Sequence, residues 1–81
     1  MDDAGIMGRV AALIETEHQL RARLASGDMS EASEHEQLRA AEVELDQCWD
    51  LLRQRRARIA AGQSPDEATS RSESVVENYL Q

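Results

Sequence analysis

The sequence predicts an all-α protein: an antiparallel helical hairpin with a short C-terminal helical tail, dimerising into a four-helix bundle. Three observations lead there. Ala, Glu, Leu and Arg fill 39 of the 81 positions, about 48%, a composition of long helices and coiled coils. Large apolar residues recur at three- and four-residue steps over two long stretches. A short connection, Gly27-Asp28-Met29-Ser30, separates those stretches, and long helices joined by a short loop pack antiparallel.

The first helix is expected over about residues 3–26. Asp2 or Asp3 can cap it, because a side-chain oxygen there accepts from the unpaired N–H groups of the first turn. Ile6, Val10, Leu13, Leu20 and Leu24 fall on one stripe, Ile14 widens it, and Glu17 fills the gap between Leu13 and Leu20. Gly27 suits the left-handed residue that closes a helix.

The second helix is expected over about 31–61. Ser30 can cap it, and Glu31, Glu34 and Glu36 suit its positive N-terminal end. Leu38, Leu45, Leu52 and Ile59 form a heptad of aliphatics, with Ala41, Cys48 and Trp49 filling the same face. Gln47 and Gln54 fall on the opposite, solvent-facing side. Residues 1–62 thus make the hairpin and 63–81 a tail. In the tail, Ser64 and Glu67 have capping-box spacing with Pro65 at the first helical position, and the apolar Val75, Val76, Tyr79 and Leu80 dock the end on the hairpin.

Assembly follows from the scarcity of aliphatics. Leu, Ile, Val and Phe total 15 residues, about 19%, beside a net charge of −7. One hairpin buries one side of each stripe, and chains this small often complete a core by oligomerisation. A homodimer is therefore expected; a hairpin covered only by its own tail is the competing arrangement.

Composition also excludes functions. No run of 18 apolar residues exists to span a membrane, and the acidic Met1-Asp2-Asp3 start does not read as a signal peptide, so a soluble cytoplasmic protein is expected. A single Cys makes neither an internal disulfide nor a cysteine metal cluster. The negative charge opposes general nucleic-acid binding. A chain this short has little interior for an enzyme pocket, and no cofactor motif occurs.

Three constellations could carry chemistry. Glu15 and His18 have the Glu-x-x-His spacing of di-iron bundles, and Glu42 could complete the set in a dimer. The helical phase, however, turns Glu15 and His18 toward water. Glu17 alone points inward, where it can set register or pair with an Arg such as Arg39. Cys48 is the only candidate nucleophile, and its mid-helix place on the stripe reads as a core thiol. Arg53, Arg55, Arg56 and Arg58 could hold an anionic partner; the structural reading is charge compensation by Asp2, Asp3, Asp50, Glu67, Glu73 and Glu77. Trp49 suits a subunit or partner contact.

The block Asp46-Gln47-Cys48-Trp49-Asp50-Leu51-Leu52-Arg53-Gln54-Arg55-Arg56-Ala57-Arg58 resembles a small, chiefly actinobacterial family of uncharacterised proteins classed as a domain of unknown function. Glu17 to Leu24 and Val76 to Leu80 are similar to that family too. The resemblance implies a helical single-domain protein and no reaction or binding residues. The function expected is a non-catalytic homodimer that binds another macromolecule. A metal-binding bundle or nucleic-acid association through Arg53–Arg58 are the alternatives.

Overall fold

The computed structural model describes the backbone of residues 2–27 and 30–80, and the side-chain surroundings of these up to Asn78. The Asp28-Met29 turn and the burial of Tyr79 and Leu80, all invoked above, lie outside what is described. The order is α1 (Asp3–Ser26), α2 (Glu31–Ala60), a 3₁₀ turn (Pro65–Glu67) and α3 (Glu73–Leu80), with no strand among the described residues.

Local chemistry sets the ends. Asp2 is the N-cap of α1, its carboxylate accepting from the Gly5 N–H at 2.8 Å. Gly27 closes α1 at φ 80°, a conformation that Gly adopts without a Cβ clash. Ser30 caps α2 by accepting from the Ser33 N–H at 3.2 Å. The expected capping box at Ser64 does not start an α-helix. The Ser64 hydroxyl accepts from Asp66 N–H, the turn stays 3₁₀ for three residues, and the α-helix of the tail begins only at Glu73.

α1 and α2 run antiparallel. Asp3 meets Arg55, Arg9 meets Glu44, and Arg21 meets Glu42, so partners rise along one helix as they descend the other. Between them lie Ile6, Val10, Leu13 and Leu20 of α1 against Ala41 and Leu52 of α2, all buried. Leu38, Leu45 and Cys48 are half-buried on the same stripe. Ile14 and Ile59 are not core: they are 43% and 58% exposed. Ile59 lies beyond Asp3, where α1 has run out, and Ile14 sits at the stripe's edge.

The tail packs on the other side of α2. The 3₁₀ turn and α3 both contact α2, and Val76 is buried there. Gln47 and Gln54 are therefore half-buried rather than solvent-facing, because the stripe opposite the apolar one is covered. The order across the molecule is α1, α2, tail, side by side. The backbone measures 51 × 26 × 14 Å, an elongated and flattened shape. No helix is long and apolar enough to cross a membrane among the described residues.

Candidate functional site

Two polar clusters tie the tail to α2. At the C-terminal end of α2 the buried stripe continues through Ala41 and Cys48 to Arg55, seven residues on each time. There α1 ends, and an arginine fills the position that an aliphatic would otherwise take. Arg55 is only 7% exposed. It donates to Asp3 at the start of α1, to the Pro65 carbonyl at 3.1 Å and to Asp66 at 3.2 Å, joining three segments with one planar donor group. Those carboxylates hold the guanidinium even more firmly protonated than usual. Arg58 donates to Glu67 at 3.3 Å.

The second cluster centres on Asp50, which is 1% exposed on the tail-facing side of α2. Arg71 grips both of its carboxylate oxygens, one through Nε at 2.8 Å. Gln54 donates to Asp50 at 3.1 Å and to the Thr69 carbonyl at 2.8 Å, and Gln47 donates to the Arg71 carbonyl at 3.3 Å. The hydrogen bonds from Arg71 hold the Asp50 carboxyl below its ordinary range, against the opposing effect of burial. Further along, Arg39 pairs with Glu73 at 3.1 Å. Glu77 on α3 faces Asp46 on α2. That contact, with burial added, raises the Glu77 carboxyl above its ordinary value, and Glu77 Oε1 is buried with no hydrogen-bond partner.

This redistributes the expected charge compensation. Asp3 and Glu67 do serve the arginine cluster, joined by Asp66. Asp2 caps α1, Asp50 takes Arg71, Glu73 takes Arg39, and Glu77 opposes Asp46. Glu17 pairs with Arg21 at 3.3 Å and not with Arg39. Of the cluster, Arg53, whose charge acts on Asp50, and Arg56 are exposed on α2, while Arg55 pairs with Asp3 and Asp66 and Arg58 with Glu67. Arg71, Gln47 and Gln54 were missed as tail-holding groups. The available signal was the stripe Val43, Gln47, Asp50, Gln54, which repeats at helical spacing and carries no Arg or Glu.

The remaining candidates do not converge. Glu15 and His18 lie on the exposed side of α1, where Glu15 accepts from Gln19, and Glu42 reaches Arg21 at 3.8 Å. Among the described residues no three His, Cys, Asp or Glu side chains gather in a way that could hold a metal ion. Cys48 is half-buried; burial, then Glu44, pushes its thiol up, which lowers the thiolate fraction needed for attack. Trp49 is 39% exposed, an uncommon position for the one Trp of a small chain. The openings are shallow grooves. One of about 360 Å³ is lined by Glu36, Arg39, Val43, Gln47 and Glu73; another of about 270 Å³ runs between α1 and α2 over Leu13 and Ala41.

Uncharacterized protein Rv0898c of Mycobacterium tuberculosis (strain H37Rv) is 48% identical over 77 residues, covering 95% of this chain and 88% of its own. Uncharacterized protein Mb0922c of Mycobacterium bovis shows the same identity and coverage. No solved structure matches the chain. The family model described as "Protein of unknown function (DUF2630)" matches residues 2–81. The chain therefore belongs to the DUF2630 family of uncharacterised proteins.

Proposed function

We propose that this protein is a non-catalytic binding module that works as a homodimer, two antiparallel hairpins stacked into a four-helix bundle that presents an acidic surface to another protein. The observation that carries the reading is that α1 and α3 each pack on α2 and not on one another among the described residues. Stable domains close at least two layers around a core, and this chain makes one. A single row of helices buries contacts only along its seams. Met7, Ile14 and Trp49 stay 39–44% exposed in a chain with few large apolar residues. A second copy supplies the missing layer.

The non-catalytic half of the reading rests on the open grooves, the burial-suppressed Cys48 and the dispersal of Glu15, His18 and Glu42. Binding is the role left for a rigid, acidic helical surface. Light scattering on the purified chain at micromolar concentration tests the assembly. The expected mass is about 18 kDa, twice the 9.0 kDa of the chain. A helical, cooperatively unfolding species of about 9 kDa at every concentration overturns it.

A further inference from the structure

The two broad faces of the flat molecule are unlike, and interhelical ion pairs mark them. Arg9–Glu44 bridges α1 and α2 on one face, and Arg21–Glu42 bridges them on the other. At 3.6 residues per turn, Met7 and Ile14 share the Arg21 side of α1, each seven residues from the next. On α2 the Glu42 side reads Glu31, His35, Glu42, Trp49, Arg53, Arg56 in order, and all six are exposed. Antiparallel packing sets Met7 beside Trp49 and Ile14 beside Glu42. Along α2 this face is therefore acidic toward the turn end, where Arg21 of α1 meets Glu42, apolar in the middle and basic toward the other end.

We propose that this face is the contact between two copies, related by a two-fold axis that lies in the plane of the contact, perpendicular to α2 and near the level of Cys48; the proposal rests on the homodimeric reading above. Glu42 and Arg53 are about 16 Å apart along α2 at ~1.5 Å rise per residue. An axis midway between them lays Arg53 of each copy over Glu42 of the other. Such a surface is complementary to itself in the antiparallel sense and repels itself in the parallel sense, which is what an isologous contact requires. The apolar centre meets its own copy, so Trp49 leaves water on assembly.

The size fits. About that axis, residues 35–60 of α2 and 3–14 of α1 overlap their copies, roughly 39 Å and 18 Å of helix each about 10 Å wide, so the face offers on the order of 600 Å². Standard interfaces take ~800 Å² from each partner. The opposite broad face carries the Arg9–Glu44 bridge and the groove over Leu13, and Met7, Ile14 and Trp49 lie away from it.

The experiment combines the sole tryptophan with a charge swap. On dilution of the wild type, Trp49 emission is expected to move to the red in step with the fall in mass. Glu42→Arg and Arg53→Glu are each expected to weaken self-association about tenfold or more, with helicity kept, because each puts like charges opposite. An equimolar mixture of the two variants is expected to recover dimer, since every facing pair is then opposite in sign. A wild type that dimerises while Trp49 emission stays fixed, with both variants dimerising as well as it does, overturns the assigned face and leaves the homodimer standing. A wild type that never dimerises overturns both.

Discussion

Arg71 reaches from the tail to both carboxylate oxygens of Asp50, a residue 1% exposed on the face of α2 turned away from α1. The pair is lopsided: Arg71 is about half exposed, while the Asp50 side chain is buried. Removing the arginine leaves a buried carboxylate with the Gln54 donor and the charge of Arg53. Removing the tail's grip exposes a polar stripe that water can solvate. Asp50 is thus the anchor point at which the tail is either held or released.

Arg71→Ala is expected to destabilise by ~1–3 kcal/mol, the cost of stripping a buried acceptor of its main donor. Protease should cut between residues 62 and 72 much faster than in the wild type. Asp50→Asn, which keeps the shape and removes the buried charge, should open the tail less. Identical cleavage in wild type and Arg71→Ala sinks the anchor.

Tail docking should respond to pH with two limbs of opposite sign. The Glu77 carboxyl is raised above its ordinary 4.5, so its contribution is complete below 4.5 and is lost as pH rises through its folded value. The Asp50 carboxyl is lowered below 3.8, so its contribution is complete above 3.8 and is lost as pH falls through its folded value. Protection of α3 amides from hydrogen exchange should therefore rise on mild acidification from neutral and fall in strong acid. Glu77→Gln should flatten the first limb and Asp50→Asn the second. A wild-type profile unchanged by Glu77→Gln contradicts the assignment.

The two faces of α2 should both be sensitive to truncation. Leu52→Ala should cost ~2–5 kcal/mol, as for a buried leucine between helices. Gln54→Ala, at a position read from the sequence as solvent-facing, should cost ~0.5–1.5 kcal/mol through its bonds to Asp50 and Thr69. Denaturant midpoints measured side by side decide it; a neutral Gln54→Ala means that the tail does not pack as described.

The arginine cluster should divide. Arg55→Gln should lower the melting temperature and loosen the start of α1 together with the 3₁₀ turn, because it donates to Asp3, Pro65 and Asp66 at once. Arg56→Gln, on an exposed position, should stay within ~0.5 kcal/mol of the wild type. The Arg58–Glu67 pair is more open than Arg55, so added salt should erode its part first. Equal effects of Arg55→Gln and Arg56→Gln would falsify the division.

The sequence by itself determined α1 and α2 and the caps that start them. Asp2, Gly27 and Ser30 act through bonds within three or four residues, and the aliphatic spacing of α1 already marks Ile6, Val10, Leu13 and Leu20 as one face. It also pointed to the family, through the block around Trp49. Tertiary structure alone decided which polar residues are interior. Asp50, Arg55 and Gln54 look like ordinary solvated helix residues, because a buried carboxylate or guanidinium is recognisable only by its partner. Those partners lie 21 residues away for Arg71 and 52 for Asp3. The same holds for the second buried face of α2. Helical periodicity reports an apolar stripe, and a stripe buried through hydrogen bonds to a returning tail has no apolar signature to report.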